Sequence, residues 1–179
     1  MRIGMIGFGE IGQEIGRYIC ENKELELVSV MCSKNSEKIG VVVDSINNLE
    51  RNIKNTKLDV IIDFSDSRAI IRNAELISRM KVNLVIGTTG FNELEIEKLV
   101  KFSKIYNNGI VYAPNITIGV NDMIEISHKS ITRNEFVEGV IKATKFINGK
   151  IGFYEMKDVI NLEKVINNYI EDNYISAVN

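Results

Sequence analysis

The chain has 179 residues, of which 45% are hydrophobic and 26% charged, and its formal net charge is −2 at pH 7. This length predicts one domain, or one domain with a small appendage, that can bury a substantial core. The basic residues are scattered and no basic stretch is interleaved with aromatic residues, so the composition argues against a nucleic-acid partner. No apolar run is long enough to cross a bilayer, so we expect no membrane partner either.

The few cysteines and histidines limit the chemistry further. Cys20 and Cys32 do not suggest a disulfide framework or a zinc site, so no metal is expected, and Cys20 is interpreted as a small core residue. The single histidine, His128, makes a Ser-His-Asp triad hard to support and excludes mechanisms that need two histidines. Because a strand is predicted from residue 2 onward, we expect no signal or transit peptide and a cytoplasmic protein.

The first sixteen residues predict a strand, a tight turn and a helix. Residues 2–6 form an apolar run typical of a buried parallel strand, and isoleucines at helical spacing follow over residues 10–20. We expect the first glycine of the turn to allow a sharp bend, the second to let backbone N–H groups approach a pyrophosphate, and the third to let the helix pack closely. A glycine-rich turn without a ligand is the alternative. The turn has the G-x-G-x-x-G pattern of dinucleotide-binding proteins and reads Gly7-Phe8-Gly9-Glu10-Ile11-Gly12.

A loop between the second and third predicted strands bears on the choice of cofactor. The strands are predicted over residues 25–31 and 41–43. A dinucleotide-binding fold usually has a carboxylate after the second strand that hydrogen-bonds to the ribose hydroxyls. In this chain Cys32 occupies that position. Ser33 and Lys34 could instead bind a 2′-phosphate, so the sequence favours NADPH over NADH. Two alternatives stay open: Glu37 reaches the ribose, or the loop is solvated and selects neither cofactor.

The middle of the chain alternates strands and helices. Residues 44–57 are polar and predict a short helix with loops, and buried strands are predicted over 58–64, 83–86 and 110–112. Ser65 or Asp66 is expected to cap the helix between the first two of these strands. The next helix includes Leu94 and Leu99 among its apolar positions. We expect it to begin at a capping pair, Asn92 with Glu95, and to end at Asn108-Gly109, because glycine tolerates the left-handed conformation of a helix end.

This alternation predicts an α/β fold, a Rossmann-like doubly wound parallel sheet with helices on both faces. Ligands of such sheets bind beyond the carboxyl ends of the strands. We therefore expect four loops to converge on one edge of the sheet: residues 7–12, 63–65, 87–91 and 113–121. Pro114, the only proline of the chain, lies in the last of these loops.

Taken together, these loops resemble the dihydrodipicolinate reductase family, although the first loop is more compact than the family's usual glycine-rich turn. The resemblance implies NADPH- or NADH-dependent reduction of a cyclic imine, a small-molecule substrate, in lysine and diaminopimelate biosynthesis. It covers nearly the whole chain and is carried by Ile6–Gly12, Asp59–Ser65, Val85–Phe91, Ala113–Asn115, Gly119–Asn121, Ile124–Arg133 and Gly152–Ile160.

The resemblance also implies cofactor roles at the matching positions. The pyrophosphate would be met by Gly7, Phe8, Gly9, Glu10, Ile11 and Gly12. The nicotinamide ribose would lie beside Gly87, Thr88 and Thr89. The carboxamide would face Ala113, Pro114 and Asn115, and the floor between these groups would be formed by Phe64 and Ser65.

Most of the family's substrate domain is missing. The family continues after the Gly-Val-Asn motif through a histidine pair, a lysine and a Gly-Thr loop, whereas Asn121 runs almost directly into Ile124 here. His128 lies outside the family's catalytic pair, so the catalytic residues stay unknown. Lys129 and Arg133 could bind a substrate carboxylate. That these side chains are solvent-exposed or contact another subunit is at least as well supported. The family's tetramer uses the substrate-domain sheet, so we expect a homo-oligomer with a reduced or replaced interface, a dimer or a tetramer.

These departures divide the chain into three predicted parts and leave two functions open. The parts are a dinucleotide-binding domain over residues 1–121, a remnant of the substrate domain over 122–133, and helices with a strand that return to the first domain over 134–179. The first function is a reductase whose substrate contacts come from a partner subunit or from the shortened loop. The second is a dinucleotide-binding protein without turnover, acting as a sensor or a relic.

Overall fold

A computed structural model describes residues 1–32, 42–65, 67–113, 133–161 and 164. The described chain forms one parallel sheet of seven strands in the order β3-β2-β1-β4-β5-β6-β7. The strands are β1 (Arg2–Ile6), β2 (Glu26–Cys32), β3 (Val42–Ser45), β4 (Val60–Asp63), β5 (Asn83–Ile86), β6 (Gly109–Tyr112) and β7 (Gly152–Glu155).

Helices cover both faces of the sheet, which confirms the predicted doubly wound α/β fold. Residues of α1, α5 and α6 pack in one hydrophobic cluster, and residues of α2, α3 and α4 pack in a second cluster on the opposite face. A short 3₁₀ turn, Ile46–Asn48, precedes α2. The helices are α1 (Glu10–Glu21), α2 (Leu49–Thr56), α3 (Ser67–Arg79), α4 (Glu93–Tyr106), α5 (Arg133–Ile147) and α6 (Met156–Val159).

The central strand, β4, shows why continuous apolar runs form this sheet. In β4, Val60 and Ile62 pack in the first cluster and Ile61 packs in the second, since successive side chains of a strand point to opposite faces. All three side chains are fully buried. Because chain order reverses between β1 and β4, their carboxyl ends form the topological switch point where such sheets bind ligands.

The start of α4 agrees with the predicted capping pair. The Asn92 side chain accepts the Glu95 backbone N–H at 3.0 Å, and the Glu95 carboxylate accepts the Asn92 N–H at 2.9 Å. The predicted end of α4 is wrong, because Asn107 adopts the left-handed conformation with φ +55° and Gly109 is already the first residue of β6.

Two side chains are exposed where the sequence suggested otherwise: Leu94, a predicted apolar position of α4, and Cys20, a predicted core residue. Leu94 is 68% exposed because Ile96 and Leu99 define the face of α4 that packs in the second cluster, and Leu94 lies about 200° around the helix from Ile96. Cys20 is exposed because the buried stripe of α1 runs through Ile15 and Ile19, and the next residue turns away from the sheet.

The returning segment completes the sheet. The helix α5 packs on the sheet through an apolar face, with Val140, Ala143 and Ile147 fully buried and Phe136 partly buried. Tyr154, Met156 and Val159 pack in the same cluster, and β7 pairs with β6. The predicted remnant of the substrate domain, apart from residue 133, and most of the chain after residue 161 lie outside the described residues, so the three-part division stays a prediction.

Candidate functional site

The turn after β1 is sterically restricted to glycine at two positions. Gly7 has φ +86°, and a Cβ atom there would lie 2.6 Å from the Phe64 carbonyl oxygen. A Cβ atom on Gly12 would lie 2.7 Å from the Gly7 carbonyl oxygen, so α1 crosses directly against the turn. The Gly7 N–H donates to the Met31 carbonyl at 2.9 Å, which ties the turn to β2.

The amino end of α1 is not covered at Gly9 by the part of the chain that the structure describes. Gly9 is the N-cap residue and supplies no side chain to cap the first N–H groups, and a Cβ atom on it would meet none of the described residues within 4 Å. The first turn of an α-helix carries unsatisfied N–H groups and the positive end of the helix dipole, which together favour an anion. The acidic residue in this turn is Glu10, which is exposed, as is Ile11.

The turn after β4 joins the first turn to the turn after β5. Asp63, the last residue of β4, is in register with Ile6 of β1 and Ile86 of β5. The Phe64 N–H donates to the Ile6 carbonyl at 2.8 Å, and the Gly87 N–H donates to the Asp63 carbonyl at 3.1 Å. Residues 63–65 therefore form the bridge between the two glycine-containing turns.

The Asp63 carboxyl group is buried at this bridge. Its side chain is 1% exposed, and its Oδ1 atom accepts the Ser65 backbone N–H at 2.8 Å. Burial raises the pKa of Asp63 to about 6, while the bond from the Ser65 backbone N–H acts in the opposite direction. Sequence reasoning did not select Asp63 as a site residue, although a carboxylate two residues before a serine at a strand end is a signal for an Asx-turn.

The turn after β5 packs against the same bridge. A Cβ atom on Gly87 would overlap the Phe64 ring, so the glycine lets the ring lie on the backbone. The Thr88 hydroxyl donates to the Ser65 carbonyl at 3.0 Å. The Phe64 ring also contacts Phe136 of α5, with centroids 5.6 Å apart, a long-range contact that sequence reasoning missed.

The structure thus brings most of the predicted site residues to the carboxyl edge of the sheet. The turn over residues 7–12, Phe64 with Ser65, and residues 87–89 meet there, and the buried Ala113 is tied to β5 by an N–H bond to the Ile86 carbonyl at 2.9 Å. The remaining predicted site residues lie outside the described chain: Ser33, Lys34, Pro114 and Asn115.

The described residues offer neither a metal site nor a membrane-spanning helix. Within the described ranges, no group of three or more histidine, cysteine, aspartate or glutamate residues could hold a metal ion. None of the helices in that part of the chain is both long enough and apolar enough to span a bilayer.

Comparison with known proteins gives one family model and many curated relatives. Residues 1–116 match the model described as the dihydrodipicolinate reductase N-terminus. The 4-hydroxy-tetrahydrodipicolinate reductase of Methanococcus aeolicus is 33% identical over 127 residues, which cover 63% of this chain and 46% of that protein. The enzyme of the same name from Syntrophomonas wolfei is 32% identical, with coverage of 68% and 49%. The chain therefore spans about half the length of the curated relatives it matches.

Similar solved structures share the fold. A dipicolinate-bound dihydrodipicolinate reductase from Paenisporosarcina sp. TG-14 has a TM-score of 0.74 at 17% identity, covering 87% of this chain and 97% of that one. A homoserine dehydrogenase from S. aureus has a TM-score of 0.57 at 12% identity, covering 68% of this chain and 33% of that one. At these identities the likeness shows the Rossmann-like fold alone.

Proposed function

This chain belongs to the dihydrodipicolinate reductase family, whose N-terminal domain matches its first 116 residues, and we propose that it is an NADPH- or NADH-dependent oxidoreductase. The main supporting observation is that three turns meet at the carboxyl edge of the sheet, at and next to the switch point, beside a helix amino end whose N-cap residue is glycine. The fold and the family agree with this assignment, because parallel sheets of this kind bind dinucleotides at that edge.

The described residues fit a dinucleotide. A Cβ atom on Gly9 would contact none of the described residues, so phosphate oxygens could approach the first N–H groups of α1, which are suited to bind them. Residues 87–89 and Ala113 would hold the nicotinamide half, with Phe64 and Ser65 between the two halves. When bound, the nicotinamide supplies the hydride, and this chain's residues bind and orient it.

The substrate we propose is a small cyclic imine that carries carboxylates. The supporting observation is that the curated relatives are named 4-hydroxy-tetrahydrodipicolinate reductases. Because the chain spans about half of its relatives, we propose that substrate contacts come from residues 114–132 or from a second copy in a cytoplasmic homo-oligomer.

A second candidate function is dinucleotide binding without turnover. It is favoured by the histidine content, since the chain holds one histidine while the resemblance implies a catalytic pair. Reduction of an imine needs a proton donor and a group that binds the substrate carboxylates in addition to the hydride. No residue of this chain is assigned as the proton donor, and Lys129 and Arg133 are only candidates for the second role.

Two measurements test the proposal in sequence. Titration with NADPH and NADH, followed by cofactor fluorescence, is expected to show saturable binding of at least one of them. Addition of the cyclic imine at high enzyme concentration is then expected to lower the absorbance of the reduced cofactor. Binding without oxidation would support the second candidate, and no binding of either dinucleotide would contradict both.

A lysine substitution tests the proposed preference for NADPH. We expect Lys34→Ala to weaken NADPH binding about tenfold and to leave NADH binding unchanged, because only NADPH carries the 2′-phosphate that this ammonium group would neutralise. Lys23→Ala removes the same charge from another loop and serves as the control. Equal NADPH affinities for Lys34→Ala and the parent would contradict the preference.

A further inference from the structure

The bridge of residues 63–65 is in contact with both glycine-containing turns. On one side, the Phe64 carbonyl lies so close to Gly7 that a Cβ atom would be 2.6 Å away, and the Phe64 N–H bonds to Ile6. On the other side, Gly87 donates to the Asp63 carbonyl and Thr88 donates to the Ser65 carbonyl. A displacement of this bridge would therefore move the two turns relative to each other.

One side chain holds the bridge in shape. The Oδ1 atom of Asp63 accepts the Ser65 N–H, a bond that closes the turn and orients the Ser65 carbonyl toward Thr88. The carboxyl group is almost fully buried, and its Oδ2 atom has no hydrogen-bond partner among the described residues. Burying a carboxyl group with one unbonded oxygen costs free energy, so we look for a role in the geometry of the turn that compensates for this cost.

We infer that Asp63 is a positioning residue: its buried carboxyl sets the spacing between the Gly7 turn and the Gly87 turn, and thereby the affinity for a dinucleotide. The inference rests on the proposed function, because it assumes that one ligand contacts both turns. The Gly7 turn would meet the phosphates and the Gly87 turn the nicotinamide ribose, so a change in their spacing weakens both sets of contacts together.

Substitutions that keep or remove the acceptor test this role. Asp63→Asn keeps an oxygen for the Ser65 N–H, and Asp63→Leu has a similar size without an acceptor. Asn52→Ala is the matched control, because Asn52 is a buried polar residue that bonds to Ser29 at 2.8 Å and belongs to α2. For each protein, the Kd for NADPH and for NADH, the melting temperature and the amide NMR spectrum are measured.

We expect Asp63→Asn to bind within about threefold of the parent and Asp63→Leu to bind at least about tenfold more weakly, the range expected for a lost buried hydrogen bond. The amide resonances of Gly7, Gly87 and Thr88 should move in Asp63→Leu. Asn52→Ala is expected to lower the melting temperature without changing Kd or these resonances.

The outcomes separate this inference from the proposed function. Unchanged Kd and unchanged resonances in Asp63→Leu would overturn the inference while leaving dinucleotide binding intact. If the parent binds neither dinucleotide, the proposed function fails, and the NMR comparison still decides whether Asp63 positions the two turns. If Asp63→Leu does not fold, Asp63→Ala replaces it, and a tenfold loss of affinity in Asp63→Asn would itself overturn the inference.

Discussion

The pKa of Asp63 has a consequence for stability as well as for the site. Burial raises this pKa from 3.8 to about 6, so between these two values the folded chain holds the proton more tightly than the unfolded chain does. The free energy of unfolding contributed by this group is therefore highest below pH 4 and falls as the pH rises toward 6. A shift of this size corresponds to about 3 kcal/mol at most.

Urea unfolding of Asp63→Asn and the parent between pH 4 and pH 7.5 checks this expectation. The parent loses stability as the pH rises through this window, whereas the asparagine side chain of the variant does not titrate. The free energy of unfolding of the variant should therefore increase relative to that of the parent. Glu24 and Glu50 have lowered pKa values because each is bonded to a lysine, so their contributions to the free energy of unfolding change with pH in the opposite direction. Both proteins contain these residues, so their contributions cancel when the two proteins are compared at the same pH. Parallel stability curves would contradict the raised pKa.

Glu10 places a negative charge in the turn that is proposed to receive a pyrophosphate. The residue is exposed and lies at the start of α1, where a carboxylate interacts favourably with the helix dipole but repels a bound anion. We expect Glu10→Gln to bind NADPH about threefold more tightly at low ionic strength, with the difference decreasing as salt is added.

Fluorescence titration at several salt concentrations measures this effect. Glu21→Gln is the matched control, since Glu21 is an exposed acidic residue at the other end of the same helix. An equal gain in affinity for both variants would mean that net charge, and not the position of Glu10, controls binding.

Among the elements, α4 shows what local sequence signals can and cannot predict. Its start was predictable from Asn92 and Glu95, because a capping box depends only on residues that are three apart. Its end was not, because Asn107 and Gly109 are both residues that tolerate a left-handed conformation. The choice depends on a distant segment, since a Cβ atom on Gly109 would lie 2.7 Å from the Lys150 carbonyl oxygen.

This explanation predicts opposite effects for two substitutions. Gly109→Ala is expected to lower the free energy of unfolding by about 1–3 kcal/mol, because the new methyl group meets backbone that cannot move freely. Asn107→Gly is expected to be neutral or stabilising by a few tenths of a kcal/mol, because the left-handed conformation with φ +55° suits glycine. Thermal or urea unfolding measures both, and a larger loss for Asn107→Gly would show that the cap is the essential feature.

At the scale of the whole molecule, the sheet and the edge that carries the site were predictable, but the contacts that fix the site were not. Apolar runs and glycine turns are local, so strand–helix alternation and the turn over residues 7–12 could be read directly. The contact of Phe64 with Phe136 joins residues 72 positions apart, and the role of Asp63 depends on burial between three strands. Neither follows from a local pattern.

The assembly state is a prediction at the same scale. A single chain has a mass of 20.2 kDa, so the proposed dimer or tetramer would have a mass of about 40 or about 81 kDa. Light scattering after size-exclusion chromatography, at several protein concentrations and with or without NADPH, measures it. A constant mass of about 20 kDa would contradict the homo-oligomer and would leave residues 114–132 as the proposed source of substrate contacts.

The return of the chain through α5 and β7 has an evolutionary consequence. The segment over residues 114–132 starts next to Ala113, which is bonded to β5, and is followed by α5, whose Phe136 contacts Phe64. Both attachment points belong to the same unit of sheet and helices. A segment inserted between them can change in length without changing the order of the strands, so we expect it to tolerate insertions and deletions during evolution better than the strands do.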